Sequence, residues 1–366
     1  MRVLVLNVGS STLKWTLLDG GERTTIRSGA QEWGSVDADR RARLIRASLR
    51  EAGGFDAVGH RIVHGGTRFG EPVLIDRETR AALEALLELD ALHMRPALAG
   101  IDAVASEHPH MPQVAAFDTS FHAHLPEAAA GYALPFEWSE RWGLRRFGFH
   151  GLSIAHSLER ARVLLGGTPR RMIVCHLGSG CSVTALQDGR SIDTTMGFTP
   201  LEGLMMGTRS GSIDPGLMLH LQLRCGVSVG ELSDTLQQRS GLLGVSGVSA
   251  DLRQVQAAAD AGSARARLAV ERFVLGLRRA VGAMVGVLEG LDAIVFTGGI
   301  GENSERIRAE IAAGLGFLGL RLDARANAAA AGDRIVSAGD TRISMLVIEA
   351  REDLVILEDV LRLTRG

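Results

Sequence analysis

Five side chains in this 366-residue sequence are placed to do chemistry: Lys14, Arg61, His150 and Arg209, which suit a phosphate or another anion, and the carboxylate Asp118. Lys14 closes the run Asn7-Val8-Gly9-Ser10-Ser11-Thr12-Leu13-Lys14, just after the apolar segment Val3-Leu4-Val5-Leu6. Glycine there lets backbone approach closely, amides and hydroxyls donate, and the ammonium supplies a compact charge. Lys14 is the single lysine among 40 basic residues; the rest are arginine. A guanidinium is wide and planar, so a chain this biased toward arginine keeps lysine where arginine does not fit.

The other four sit in similar surroundings. Arg61 lies in Gly59-His60-Arg61-Ile62-Val63-His64-Gly65-Gly66, where flanking glycines favour a binding position over a surface one. Asp118 ends the strand-like run before Thr119-Ser120-Phe121-His122. Strand ends carry functional groups in α/β folds, and an Asp there also serves as a helix cap. His150 stands between aromatics and glycines in Arg145-Arg146-Phe147-Gly148-Phe149-His150-Gly151, an anion-site composition. Arg209 is the anion ligand of an aperiodic loop over 204–216, and long loops of that kind are usually functional. Glu349, Glu352 and Asp353 precede or open a last helix. They either complement its dipole or supply a carboxylate for Mg²⁺.

The elements that must position these groups read as α/β. Apolar content is 46%, charged content 22%, and 45 glycines suit tight strand–helix turns. A formal net charge of −2 gives no case for nucleic acid or an anionic membrane as partner. Cys175 and Cys181 sit in apolar runs and read as reduced core residues. The N-terminus lacks a signal-peptide pattern, no membrane-length apolar run exists, and the cytoplasm is the expected location. Strands are expected at 56–63, 113–118, 171–176, 181–187, 292–297 and 343–348. Helices are expected at 77–90, 96–107, 152–165, 216–224, 228–239, 251–260, 263–289 and 352–364.

An internal repeat organises the whole. Val5 to Gly20 and Val174 to Gly189 both read as strand, Gly/Ser turn, strand and Asp-Gly turn. Gly9 aligns with Gly178, Ser10 with Ser179, and Lys14 with Val183. Two such hairpins could hold the two ends of a triphosphate. A third glycine turn, Thr297-Gly298-Gly299-Ile300-Gly301-Glu302-Asn303, follows a strand and opens a helix, a natural nucleotide contact.

Taken in order, these motifs resemble the acetate kinase family. They are N-V-G-S-S-T-L-K, G-H-R-I-V-H-G-G, A-F-D-T-S-F-H, F-G-F-H-G, H-L-G-S-G, M-G-T-R-S-G, F-T-G-G-I-G-E-N and E-D-L, and they run essentially end to end. The resemblance implies the duplicated two-lobed α/β fold of sugar kinases, Hsp70 and actin. The first lobe would comprise 1–121 and 354–366, the second 122–353. It implies ATP with Mg²⁺ (Mn²⁺ as an alternative), a homodimer, and reversible phosphoryl transfer to acetate or another short-chain carboxylate. By position, Asn7 and Glu352 resemble the Mg²⁺ site, and Lys14 the lysine beside the ATP phosphates. Arg61 resembles the acyl-binding arginine, Asp118 the essential aspartate, and His150 with Arg209 the transition-state pair. His176, Leu177, Gly178, Ser179 and Gly180 resemble one nucleotide segment. Asp251, Leu252 and Arg253 resemble a second, and Gly299, Ile300, Gly301, Glu302 and Asn303 a third. Val63, Leu92, Phe149 and Pro200 resemble the small apolar pocket for the acyl methyl.

A carboxylate acceptor is already ionised near neutral pH, so it needs no general base. It needs help approaching a triphosphate of its own sign, which arginines and a metal give. Asp118 is therefore expected to orient an arginine or the metal's water shell, and His150 to donate to the transferring phosphoryl group. The chain departs from the family pattern at Met94, Ser179, Ser212 and Leu152, which bears on efficiency and acyl preference. Alternatives are a propionate or other short-acyl kinase, since a methylene is worth only about 1–3 kcal/mol in an apolar pocket. An inactive nucleotide-binding homologue is a third.

Overall fold

Seven residues at the start of the chain show why it folds as it does. In the strand Arg2–Val8 (β1), Leu4, Leu6 and Val8 enter one core, while Val3 and Val5 enter another on the opposite face. A strand buried on both faces must be covered by helices on both. The helices Ala38–Ala52 and Leu87–Glu107 cover the first face, and Glu352–Thr364 covers the second through Ile356, Leu357, Val360 and Leu361. That last helix lies so close that a Cβ on Gly59 would meet Ile356 Cγ2 at 2.3 Å. The computed structural model describes residues 1–9, 12–34, 37–329 and 332–365; Ser10 and Ser11 of the first turn lie outside them.

The chain forms two units. The first comprises Met1–Ala123, Phe149–His156 and Arg351–Gly366. Its strands are β1, Thr12–Asp19 (β2), Thr24–Glu32 (β3), Ala57–Ile62 (β4), Val73–Leu74 (β5) and Gln113–Phe117 (β6), in the order β3-β2-β1-β4-β6-β5. The second comprises His124–Gly148 and Ser157–Ala350. Its strands are Arg171–Leu177 (β7), Cys181–Gln187 (β8), Arg190–Thr194 (β9), Ala293–Thr297 (β10), Arg334–Ile335 (β11) and Ser344–Val347 (β12). They run β11-β12-β10-β7-β8-β9, the same order read from the other edge. The hydrogen-bonding sense repeats too: β1·β2 and β7·β8 are antiparallel, β1·β4 and β7·β10 parallel.

Register corrects one part of the expected alignment. Asn7 pairs with Lys14, and Val8 with Leu13. In the second hairpin His176 pairs with Ser182, and Leu177 with Cys181. The second turn is one residue shorter, so the counterpart of Lys14 is Ser182, not Val183. A shared irregularity supports this, falling between Leu17 and Leu18 in one ladder and between Ala185 and Leu186 in the other.

Other differences from expectation are local. The helix expected over 77–90 ends at Ala85, and the next runs Leu87–Glu107 straight through Pro96. Its kink is at Asp90 (φ −152°, ψ 74°), whose carboxylate accepts the His93 N–H at 3.2 Å, an N-cap geometry. Phe149–His156 packs with the first unit, because the Gly151 N–H donates to the Asp118 carbonyl at 2.7 Å and Leu152 joins Val114 and Ala116 in the core.

Candidate active site

In the first unit the ends of β1, β2, β4 and β6 bring the charged residues together. Arg61 ends β4 beside Asp118, which follows β6. The two form a forked pair: Nε donates to Oδ1 at 2.8 Å and Nη2 to Oδ2 at 2.6 Å. Arg61 Nη1 also reaches Asn7 Oδ1 at 3.4 Å, and its Nε lies 3.3 Å from Glu352 Oε2. The Asp118 side chain is 2% exposed and that of Arg61 19%. Burial works against the Arg61 charge, but Asp118 and Glu352 more than offset it, and its pKa rises above the usual arginine value. The guanidinium is thus fixed in charge and direction.

A cavity of about 130 Å³ opens beside this pair, lined by Asn7, Lys14, Thr16, Arg61, Glu352 and Asp353 among others. Lys14 and Thr16 share one face of β2, while Leu13, Trp15 and Leu17 take the other into the core. Thr16 escaped the sequence reading, although the two-residue strand period from Lys14 pointed to it. Asp353 is engaged by Arg351 at 2.9 Å, whereas Glu352 faces Arg61.

His150 is distant from the fork in sequence but is brought toward it in the fold, since the N–H of the next residue, Gly151, donates to the Asp118 carbonyl. It has a left-handed φ of +61°, follows Gly148 at +72°, and opens the helix Gly151–Leu165. A non-glycine residue there carries strain of roughly 1–3 kcal/mol, which clusters at functional sites. The segment is pinned on both sides. A Cβ on Gly151 would meet the Asp118 carbonyl at 2.4 Å. The Phe149 carbonyl accepts from buried His122 Nε2 at 3.1 Å. Desolvation drops the His122 pKa to about 4, so the ring is neutral and its Nε2 carries the proton. Phe149 is buried edge-on to His64 at 5.5 Å. Of the other expected acyl-pocket residues, Val63 is half-buried just past β4 and Leu92 is 42% exposed.

In the second unit, four segments meet at the carboxyl ends of β7 and β10. His176 pairs in register with Thr297, and a Cβ on Gly298 (φ +76°) would meet the Leu177 carbonyl oxygen at 2.8 Å. Gly298 thus seats the third glycine turn on the second hairpin; the expected set began one residue later, at Gly299. The Gly207 N–H points to the Ser179 carbonyl at 3.4 Å, and a Cβ on Gly207 would meet the Ala250 carbonyl at 3.1 Å. The loop of Arg209, the Gly178–Gly180 turn and the Asp251-Leu252-Arg253 start are therefore contiguous. Asp251 caps its helix through the Arg253 N–H at 2.9 Å. Burial raises the buried Cys181 thiol to about 12, with Arg209 close enough to oppose that rise. Arg209 Nη1 lies 3.5 Å from the Pro200 carbonyl. Gly299 is open, Ile300 is half-buried, and a Cβ on Gly301 would lie 3.6 Å from the Cys175 carbonyl oxygen. Glu302 and Asn303 are used in the fold: Glu302 Oε1 accepts the Ala350 N–H and Asn303 Nδ2 donates to the Gly299 carbonyl, both at 2.9 Å.

The repeated six-strand topology, with functional groups at the strand ends, defines the class: a duplicated actin-like fold of the kind used by phosphotransferases. Within it, a sequence model described as the Acetokinase family matches residues 43–358, and the chain belongs to that family. It is 50% identical over 320 residues to an acetate kinase of Synechococcus sp. (strain JA-2-3B'a(2-13)), covering 87% of this chain and 79% of that one. It is 43% identical over 398 residues to an acetate kinase of Cyanothece sp. (strain PCC 7425), covering 98% and 97%. Among solved structures, Porphyromonas gingivalis acetate kinase superposes with a TM-score of 0.90 at 33% identity, covering 99% of both chains. A propionate kinase from Francisella tularensis does so with the same TM-score at 34% identity and the same coverage.

Proposed function

We propose that this chain transfers the γ-phosphoryl group of ATP directly to a carboxylate oxygen of acetate, giving acetyl phosphate and ADP reversibly. The observation that carries this is the Arg61–Asp118 fork beside Asn7 and Glu352. Both Asp118 carboxylate oxygens are engaged by Arg61, which suits an acceptor that is already ionised and needs no base. Arg61 binds the carboxylate. Asp118, spent on Arg61, orients it and abstracts no proton. His150 donates to an equatorial oxygen of the transferring group, and Arg209 neutralises its charge. The glycine turns at Gly178–Gly180 and Gly298–Gly301 accept the nucleotide through backbone.

The residues fit a divalent cation. Asn7 and Glu352 offer hard oxygen donors lining one small cavity. Mg²⁺ commonly binds through one or two protein oxygens, with water and phosphates completing its shell. When bound, Mg²⁺ neutralises phosphate charge in the transfer. Among the described residues no group of three or more His, Cys, Asp or Glu could by itself hold a metal ion. Under this reading Glu352 moves from Arg61 to the cation.

No helix among the described residues is long and apolar enough to cross a membrane, and we place the enzyme in the cytoplasm. It acts as a homodimer, for which the exposed Leu217, Leu219 and Leu223 on one helix offer an apolar surface.

Hydroxamate capture with acetate, propionate and butyrate tests the reading. Trapped acyl phosphate is expected with acetate, less with the longer acids. No capture from any of the three contradicts it.

A further inference from the structure

One cavity in the second unit has none of the expected nucleotide-turn residues in its lining. It measures about 880 Å³ and is bounded by one face of the helix Ala264–Leu288 and by Ser240, Gly241 and Gly244. That is ample for a metabolite-sized ligand. Four arginines line it. Arg146 is matched by Glu202 at 2.9 Å, and Arg239 by Asp234 at 2.7 Å. Asp193 is the one carboxylate in the wall. Arg272 and Arg279 make no hydrogen bond or ion pair with another described residue. They are seven residues apart on one helix face, about 10 Å along the axis, with Leu275 and Gly276 between them. Two unmatched guanidiniums flanking an apolar floor recognise anionic groups at the two ends of one molecule.

The Ser240–Gly244 part of the lining is tied to the catalytic loop, whose Leu204, Met205, Ser210 and Ser212 also line the cavity. The Ser240, Leu242 and Leu243 N–H groups donate to the Thr208, Met206 and Gly207 carbonyls at 2.9, 2.9 and 3.0 Å. Gly241 (φ +63°) packs so tightly that a Cβ would meet the Met206 carbonyl at 2.2 Å and the Arg209 carbonyl at 2.8 Å. A ligand that presses on Ser240 or Gly241 cannot leave the Arg209 loop undisturbed.

We propose that this cavity binds an elongated dianion, its carboxylate or phosphate ends held by Arg272 and Arg279, and that its occupancy alters turnover through the Arg209 loop. Calorimetric titration of the intact enzyme, with ADP and Mg²⁺ filling the nucleotide site, tests it. The probes are octanedioate and hexane-1,6-diol bisphosphate, with succinate and pyrophosphate as short comparators. One or both long probes should bind better than the short ones, and whichever wins tells carboxylate from phosphate. Arg272→Ala/Arg279→Ala should weaken that binding on the order of tenfold or more and keep basal turnover. Arg272→Lys/Arg279→Lys should restore part of it. The bound probe should also change kcat or the KM for acetate in the wild type only. Absence of binding by either long probe, or equal binding by the alanine variant, overturns the site. Binding that leaves both kinetic constants unchanged overturns the coupling. Activity without any probe tests the kinase reading separately.

Discussion

The two sheets share a topology and differ in what stands at equivalent strand ends. In the first, the ends carry Asn7, Lys14, Arg61 and Asp118. Register puts His176, Ser182, Thr297 and Ala350 at the matching places of the second. One edge holds two cations and a carboxylate. The other holds a histidine, two hydroxyls and an alanine beside glycine turns, with Thr297 Oγ1 buried and without a partner among the described residues. A duplicated fold supplies two equal platforms. The difference teaches that the charged one suits the reacting carboxylate and phosphoryl group, and the glycine-lined one suits backbone contact with a nucleotide.

Four variants or conditions break or sharpen that contrast. Asp118→Ala comes first, since it leaves the mostly buried Arg61 with only its longer contacts to Glu352 and Asn7. Losing one partner of a buried pair costs about 3–5 kcal/mol, read by urea denaturation. Turnover should fall on the order of 10²-fold or more as Arg61 loses its direction. In the second unit, Gly298→Ala places a methyl against the Leu177 backbone at a positive φ. It should cost roughly 1–3 kcal/mol of stability and raise the KM for ATP while the KM for acetate holds. Lys14→Arg keeps the charge and changes its shape. It should lower kcat about tenfold, one step of about 1.4 kcal/mol, and full activity would make the lone lysine an accident of composition.

Acidification acts on stability in a graded way. Desolvation drops His60 and His122 to about 4 in the folded protein, from 6.5. Their contribution is complete above pH 6.5 and is lost as pH falls from 6.5 toward 4, at about 1.4 kcal/mol per pH unit for each. The urea midpoint of the first unit should drop over that window, and His60→Gln should flatten the slope.

What the sequence made legible followed from strong local signals. Buried strands such as 113–117 and 293–297, the amphipathic last helix and the glycine turns are continuous apolar runs or punctuation. The repeat was visible because both hairpins keep Gly after a strand. Its register was not, since a one-residue difference in turn length leaves no mark on an ungapped comparison. The strand Thr24–Glu32 was missed because it lies mostly exposed at a sheet edge and owes its form to pairing with β2. The helix Ala38–Ala52 was missed because its arginines mask the stripe Ile45, Leu49 and Ala52. In the site, Arg61 and Asp118 were each readable from their motifs, but the fork joining them needs two strands distant in sequence. The exposed face of Leu92 and the structural use of Glu302 could not be read from residue type.

The most direct test of the division between the two edges is Arg61→Ala with two readouts on the same preparation. Acyl phosphate formation from acetate should fall on the order of 10³-fold or more, while the dissociation constant for ADP stays within about twofold of the wild type. Comparable loss of ADP binding, or retained acyl phosphate formation, would contradict the assignment of the charged edge to the carboxylate.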